Sequence, residues 1–425
     1  MLKNSQRMTA MTTLATALAP RRLTLVAAAC VLAGCSMIPT YERPAAPVAT
    51  AFPLAQAAPV GGVAAADVAW KDYFADPRLQ QLIGIALENN RDLRVAVLNI
   101  EQARAQFQIR RADQYPTVNG VVAGTRQPNT NGDYANSFQV GLAVSSWEID
   151  FFGRVASLKE QALAQYFSTE EARKNTQISL VAAVANGWYT LLADEELQEI
   201  SRRTLGTREE SLKLSKVRFD NGVASELEYH QADGLVQAAR ATLAQQQRLR
   251  AQDENALVLL LGQALPDAVR SSIPGSRLAT APAMAPLPAG LLSDLLVRRP
   301  DIRQAEQLLI ASNANIGAAR AAFFPRIALT ASVGTASSEL SGLFKSGAWG
   351  FTLAPQLLLP IFDAGRNQAG LDSAQVARSM AVAQYEKSIQ TAFREVSDAL
   401  AGEATLGTQL TALQAQQTAE AKRLK

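Results

Sequence analysis

The fold is decided by a short alternating stretch, Phe138-Gln139-Val140-Gly141-Leu142-Ala143-Val144-Ser145. Apolar side chains occupy every second position, and small or polar residues fill the positions between them. This period of two predicts a β-strand with one apolar face. Segments 327–333 and 349–354 share the pattern, and 117–125 shows it more weakly. Each is close to the roughly 9 to 11 residues that cross a membrane as a tilted strand.

The four predicted strands form two hairpins, because the connections 127–136 and 335–347 are rich in Asn, Gly and Ser. By itself, any one of these strands would favour a soluble, half-buried hairpin. Four strands cannot close a barrel, and an open sheet edge in hydrocarbon leaves backbone groups without hydrogen bonds. Strands in a membrane would therefore require the chain to oligomerise.

The chain contains an internal duplication. Six residues recur at one constant spacing: Asp92, Arg94, Ala96, Arg111, Ala112 and Pro116 return as Asp301, Arg303, Ala305, Arg320, Ala321 and Pro325. Gly153-Arg154 also returns as Gly365-Arg366. Each set frames a helix, a proline, two alternating segments, a Gly-Arg turn and a long helix. We therefore predict two repeats, 70–290 and 291–425.

The helices of the first repeat are predicted to be long. Residues 154–205 lack proline and contain one glycine, Gly187, so a helix of some 50 residues, on the order of 75 Å, is expected. A coiled-coil seam is indicated by apolar residues at alternating steps of three and four. These residues are Ile178, Val181, Ala185, Trp188 and Leu192.

A tight helical tip is predicted further along the first repeat. A second helix-like stretch ends near Phe219, and Asp220-Asn221-Gly222 is typical of a helix stop and turn. Ser225 and Glu228 then form a capping box, which predicts another long helix to about Gly262. Two antiparallel helices joined at a turn are expected.

The N-terminus has the features of an export signal, predicted to span residues 1–34. Arg21 and Arg22 precede an apolar run of about 11 residues, which is too short for a membrane-spanning helix. Leu32-Ala33-Gly34-Cys35 resembles the lipobox of bacterial lipoproteins, which implies that Cys35 carries a diacylglycerol. Because Ser36 rather than aspartate follows, the outer membrane is the expected destination. Residues 35–69 are rich in proline and predict an extended, lipidated tether.

Several functional classes are disfavoured by composition. A formal net charge of +3 without a basic stripe argues against nucleic acid as a partner. The chain has one histidine, His230, in a polar helical stretch where a solvated side chain is expected, and two cysteines near the N-terminus. No metal-ligand cluster, phosphate loop or nucleophile motif is present. We therefore expect no enzyme activity, no cofactor and no metal.

Four motifs resemble the TolC superfamily of outer-membrane factors, specifically the efflux lipoproteins of the NodT and OprM type. They are Trp70-Lys71-Asp72-Tyr73-Phe74-Ala75-Asp76-Pro77, Asn90-Arg91-Asp92-Leu93-Arg94, Trp147-Glu148-Ile149-Asp150-Phe151-Phe152-Gly153-Arg154 and Gly222-Val223-Ala224-Ser225-Glu226-Leu227. The resemblance extends from the lipobox to the end of the chain. It implies a mainly α fold with a membrane β part, in which three chains form a 12-stranded β-barrel that continues into a periplasmic α-helical barrel.

The resemblance also implies a mechanism and partners. An inner-membrane pump of the resistance-nodulation-division type would supply energy, a periplasmic adaptor would bridge, and this chain would be a passive exit duct for drugs or other small molecules. The family pattern at the tip corresponds to Arg218, Gly222, Val223, Ala224 and Ser225, which become candidates for adaptor contact. An ordinary capped helical turn explains the same residues.

The second repeat is predicted to be incomplete, because the spacing of the copies would carry it to about residue 474, whereas the sequence stops at Lys425. No gating residue can therefore be assigned from the family. Two alternative functions remain open at this point. The chain could be a duct for type I protein secretion, or a periplasmic coiled-coil scaffold lipoprotein with soluble hairpins.

Overall fold

A computed structural model describes residues 36–53, 67–128, 132–282, 284 and 296–423. Cys35 and the predicted signal peptide lie outside these ranges. The described chain is mainly helical with one antiparallel sheet. The main elements, in chain order, are α1 (Trp70–Tyr73), α2 (Pro77–Asn89), α3 (Arg91–Ala112), β1 (Val118–Pro128), β2 (Tyr134–Ile149), α4 (Arg154–Asp220), α5 (Glu226–Leu261), α6 (Asp267–Ser272), α7 (Pro300–Ala321), β3 (Arg326–Ser337), β4 (Trp349–Leu358) and α8 (Arg366–Arg423).

The order of elements confirms the predicted fold class. The succession α3-β1-β2-α4 is repeated as α7-β3-β4-α8, so each copy is a helix, a hairpin and a long helix. One helical boundary differs from the prediction, because α4 runs unbroken for 67 residues through Gly206. A glycine inside a helix costs only about 1 kcal/mol, which the hydrogen bonds and packing of a long helix readily offset.

The chain divides into two compact units. Counting only described residues, the sheet unit comprises 36–47, 101–128, 132–168 and 304–388, and the helical unit comprises 48–53, 67–100, 169–282, 284, 296–303 and 389–423. Each unit takes segments from both sequence repeats. The predicted boundaries 70–290 and 291–425 therefore describe the duplication of the sequence and not these two compact units. They stay a prediction.

The sheet unit holds four strands in the order β1-β2-β3-β4, with each neighbouring pair antiparallel. Because side chains alternate along a strand, the register sorts them onto two faces. The apolar face consists mainly of Val118, Val122, Phe138, Val140, Leu142, Val144, Val333, Trp349, Phe351 and Leu353. The small-residue face includes Asn119, Ala143, Ser332 and Thr352, which lie in one row across the sheet.

A β-bulge interrupts β2 between Val144 and Trp147. Three steps along β2 match two steps along β3 here, and Ser146 adopts a positive φ of 51°. The extra residue reverses the alternation, so Trp147 falls opposite Leu329 and joins the apolar face. The alternating stretch predicted from sequence therefore ends at the bulge, and the apolar face continues beyond it.

The helical unit has its core around Trp188, which is fully buried. Leu82 and Ile83 of α2 and Leu257 and Leu261 of α5 belong to the same cluster. Four of the five predicted seam residues are buried, whereas Ile178 is 57% exposed, so the seam begins one step later than expected. Among the described residues, no helix has an apolar window long enough to cross a membrane.

Candidate functional site

The apolar face of the sheet is exposed in the isolated chain. Val122 is 82% exposed, Phe351 73% and Leu353 62%. Large contiguous apolar patches are rare on soluble monomers and mark surfaces that meet lipid or another protein. The strands contain 10 to 16 residues each, which is long enough to cross the hydrocarbon of a bilayer.

The sheet is open at both ends. Within the part of the chain that the structure describes, β1 pairs only with β2, and β4 pairs only with β3. The outer edge of each therefore presents backbone N–H and C=O groups without a strand partner. Such edges are not tolerated in hydrocarbon, where each unsatisfied group costs several kcal/mol.

The link from the sheet into α4 is held by Glu148, a carboxylate buried at the end of β2. It accepts two hydrogen bonds from Arg154, at 2.8 and 2.7 Å, and it forms an ion pair with Arg326 at 2.6 Å. Arg154 begins α4 and Arg326 begins β3, so one carboxylate fixes three elements. The motif 147–154 thus has a structural role that its sequence did not reveal.

Both Gly-Arg turns contain a glycine with a positive φ. Gly153 and Gly365 adopt φ values of 72° and 85°, a region that favours glycine. A preceding carboxylate binds the start of each helix: Asp150 accepts from the N–H of Ala156, and Asp363 accepts from the N–H groups of Gly365 and Asn367. These backbone hydrogen bonds lower the pKa of Asp363. The repeated Gly-Arg sequence therefore marks a strand-to-helix turn.

The predicted tether is bound to the sheet unit along residues 37–43, which we call the strap. Arg43 makes a bidentate pair with Glu306 at 2.7 and 2.8 Å, and Tyr41 donates to the same carboxylate at 3.1 Å. Asn313 donates to the carbonyl of Pro39 at 2.7 Å. Burial and the neighbouring Glu306 carboxylate raise the pKa of Tyr41 well above its ordinary value. This part of the tether is therefore anchored along α7 rather than free.

The structure brings all five predicted tip residues together. After α4 ends, the N–H groups of Val223 and Ala224 both donate to the carbonyl of Arg218, at 2.8 and 3.2 Å. Gly222, which lies between Arg218 and Val223 in the chain, has a φ of 73°. The Ser225 hydroxyl caps α5 by accepting a hydrogen bond from the N–H of Glu228. These hydrogen bonds occupy the polar groups of the turn backbone. The Val223 side chain takes no part in them and is 67% exposed.

Other apolar side chains surround the tip and were not singled out from the sequence. Leu214 is 63% exposed, Val217 52% and Leu227 66%. The sequence does contain a signal for them, because apolar residues recur here within otherwise polar helical segments. Just below the turn, Tyr229 stacks on Phe219 with ring centroids 5.8 Å apart, which braces the two helices. His230 is exposed at 64%, beside Glu226.

One acidic pair perturbs the electrostatics of the helical unit. Burial and the neighbouring carboxyl of Asp253 raise the pKa of Asp194 to about 6. A raised pKa favours the protonated form in the folded state, so ionisation of Asp194 weakens the fold as the pH rises towards neutrality. Across the described residues, no cluster of His, Cys, Asp and Glu could hold a metal ion.

An exposed antiparallel sheet of membrane-crossing strands, joined to long helices with a capped tip, defines an outer-membrane channel of the TolC type. Solved structures agree with this class. The open-state MtrE outer-membrane channel of Neisseria gonorrhoeae is 42% identical with a TM-score of 0.81, over 91% of this chain and 86% of that one. A crystal structure of CusC is 39% identical with a TM-score of 0.75, over 91% of this chain and 87% of that one.

Sequence comparisons give the family. Residues 82–263 and 291–424 match the family described as outer membrane efflux protein. A Pseudomonas putida protein described as the probable efflux pump outer membrane protein TtgC is 48% identical over 400 residues, covering 92% of this chain and 82% of the relative. The outer membrane protein OprJ of Pseudomonas aeruginosa is 46% identical over 391 residues, covering 90% and 81%. The chain belongs to the outer membrane efflux protein family, which is a channel family and not an enzyme family.

Proposed function

We propose that this chain is the outer-membrane channel subunit of a tripartite efflux pump, in which it is a passive exit duct for drugs or other small molecules. Three copies form the duct. Energy comes from an inner-membrane pump of the resistance-nodulation-division type, and a periplasmic adaptor protein connects the two. The names of the relatives, which describe efflux pumps, favour this function over protein secretion.

The open sheet carries the proposal. The four strands have an exposed apolar face and two edges that no other described segment pairs with, so they cannot lie stably in hydrocarbon as a single chain. Pairing β4 of one copy with β1 of the next satisfies both edges, and three copies give the 12 strands that the family resemblance implies. The apolar face then contacts lipid, and the small-residue face lines the water-filled interior.

Reconstitution tests this function directly. The purified full chain should migrate in SDS as a trimer that heating converts to a monomer, and it should give discrete conductance steps in planar bilayers. Protein heated to the monomer before reconstitution is the matched control and should give no steps. A stable monomer that folds but never conducts would overturn the duct, and it would favour the periplasmic scaffold instead.

The tip is proposed as the adaptor contact. An exposed valine surrounded by further exposed apolar side chains offers a small apolar surface. The residues proposed for the contact are Arg218, Gly222, Val223, Ala224 and Ser225. The turn is already stabilised by its own hydrogen bonds and by the Ser225 cap, which leaves the exposed Val223 side chain to meet a partner.

Val223→Asp should abolish drug resistance in a strain that supplies the matching pump and adaptor. Burying an unpaired carboxylate in an interface costs about 3–5 kcal/mol, which is enough to lose the complex. Gln245→Asp, which adds the same charge to α5 away from the tip, should keep resistance. Minimum inhibitory concentrations and the heat-sensitive trimer are measured for both variants. Full resistance in Val223→Asp, with normal expression, would contradict adaptor contact at the tip.

The lipid anchor is proposed at Cys35. The sequence around it resembles a lipobox, and no further cysteine follows it in the chain. Labelled palmitate should therefore enter the wild-type protein and be absent from Cys35→Ala. Cys30→Ala is the control, since Cys30 lies inside the predicted signal and should leave labelling unchanged. Equal labelling of Cys35→Ala and wild type would refute the assignment.

A further inference from the structure

Two large apolar side chains protrude just beyond the end of β4. Ile361 is 94% exposed and Phe362 is 89% exposed. The corresponding turn after β2 is different, because Phe152 there stacks on Phe324 with ring centroids 4.9 Å apart. The aromatic side chain at the second turn therefore lacks the cover that the first turn has within the described sheet unit.

The register of the closed barrel predicts what lies beside this pair. This step rests on the proposed trimer, in which β4 pairs with β1 of the next copy. The strands have nearly equal lengths, 10 residues in β4 and 11 in β1, so pairing over the full length satisfies most of both edges. The apolar faces must also coincide. Both conditions are met when Trp349 lies opposite Pro128 and Leu353 lies opposite Gly124 of the neighbouring copy.

The same register can be continued past the ends of the strands. Leu359 falls opposite Val118 of the next copy, and Phe362 falls level with Tyr115. Tyr115 is itself 66% exposed in the isolated chain. Shifting the register by one residue would place the apolar face of one strand beside the small-residue face of the other, so parity excludes it.

A cavity lies next to Tyr115 within the same copy. The pairing of β1 with β2 begins at Val118 and Val144, so the last five residues of β2 run past the beginning of β1. The cavity has a volume of about 300 Å³ and is lined by Tyr115, Trp147, Val155 and Leu158 together with charged residues, among them Arg110, Asp113, Glu148, Arg154 and Arg326. Because charged groups dominate this lining, apolar side chains of a neighbouring copy would contact Tyr115 rather than enter the cavity.

We propose that Ile361 and Phe362 of one copy dock against Tyr115 of the next copy. The occupant is thus a second copy of this chain. The contact extends the interface between copies from the strands onto the turns where strands become helices. Three such contacts, one at each junction between copies, close the ring below the barrel. Burial of two large apolar side chains per contact stabilises the trimer.

Cross-linking tests the contact against a reference pair. The reference variant carries Thr125→Cys and Thr352→Cys, which lie opposite each other in the same register on the small-residue face. The test variant carries Tyr115→Cys and Phe362→Cys. With a short bifunctional thiol reagent, both full-length variants should give covalent dimers and trimers in SDS. Each single-cysteine variant should stay monomeric after heating, which controls for Cys35.

The outcomes separate the inference from the function on which it rests. If the reference pair cross-links and the Tyr115/Phe362 pair does not, the trimer stands and the docking is overturned. If neither pair cross-links, the barrel register fails, and the inference fails with it. Cross-linking of both pairs supports the docking.

A second measurement distinguishes protein contact from lipid contact at Phe362. Phe362→Ser should lower the temperature at which the trimer dissociates in SDS, while Phe362→Leu should stay close to wild type because it keeps an apolar side chain. The chain has four native tryptophans, among them Trp349 on the apolar face, so brominated lipid should quench Phe362→Trp only slightly more than the wild type. Strong quenching beyond that of the wild type would place Phe362 in lipid, and equal dissociation temperatures for the serine and leucine variants would show that its apolar side chain is not needed; either result would overturn the proposal.

Discussion

Replacing Gly334 with alanine should abolish the heat-sensitive trimer. Gly334 of β3 lies opposite Gly141 of β2, and the two backbones approach closely at this point. A Cβ atom on Gly334 would sit 2.6 Å from the Cα of Gly141 and closer still to the carbonyl oxygen of Val140. These are backbone atoms, so no side chain can move aside, and the strands themselves would have to separate.

The expected effect is large because β2 and β3 join the two hairpins of the sheet. Overpacking a well-packed site costs about 1–3 kcal/mol, and a trimer carries the clash three times. Gly141→Ala should behave in the same way, since its Cβ would lie 2.8 Å from the Cα of Gly334. Both variants are measured by trimer yield on unheated SDS gels and by conductance.

Gly350→Ala provides a matched control in the same row of the sheet. Gly350 lies opposite Gly334 on β4, yet a Cβ built on it meets nothing within 4 Å. This variant should keep the trimer and its conductance. If Gly334→Ala assembled as well as Gly350→Ala, the close approach of β2 and β3 would not be required for the barrel.

Asp76→Ala should strongly destabilise the helical unit. Asp76 is 1% exposed and accepts hydrogen bonds from the Arg78 guanidinium, the Arg78 N–H and the Trp188 indole. Removing one partner of a buried ion pair costs about 3–5 kcal/mol. The variant also loses the N-cap of α2, which contributes about 1 kcal/mol. The free energy of unfolding, followed by the helical circular dichroism in urea, should fall accordingly.

Asp76→Asn separates the charge from the cap. Asparagine can still cap α2 and accept one hydrogen bond, so its free energy of unfolding should lie between those of wild type and Asp76→Ala. Asp72→Ala, at an exposed position on α1, is the control and should be close to wild type. Equal stability of all three variants would show that the Asp76 carboxylate does not hold this core together.

Acid should reduce the difference between wild type and Asp76→Asn. Burial raises the pKa of Asp76, but the hydrogen bonds from Arg78 and Trp188 outweigh burial and hold the pKa below its ordinary value. A lowered pKa stabilises the fold above the ordinary pKa of an aspartate, and this contribution is lost as the pH falls through the lowered value. The two proteins should therefore converge in stability only below about pH 4.

The tip could be read from the sequence because its determinants are local. A turn after Phe219 and a capping box at Ser225 require only the residues that immediately follow one another in the chain. The same is true of the alternation from Phe138 to Val144, which by itself sets the face that each side chain occupies. These features needed no information about distant contacts.

The bulge at Ser146 could not be read in this way. Its position depends on how β2 pairs with β3, a strand that begins at Arg326, far along the chain. The contacts of the strap could not be read from the sequence either, because Arg43 and Glu306 are separated by 263 residues. A proline-rich sequence predicts an extended backbone, but it does not say whether that backbone is free or bound to a helix.

The sequence by itself therefore determined the elements of this protein: two copies of a helix, a hairpin and a long helix, with a capped tip. Only the tertiary structure decided how the copies combine, namely the four-stranded order with two open edges, the close approach of Gly141 and Gly334, and the exposure of Phe362. The physical reason is that secondary structure follows from hydrogen bonds and side-chain periods between near neighbours. Sheet register, steric limits and exposed surfaces depend on residues that meet only after the chain has folded.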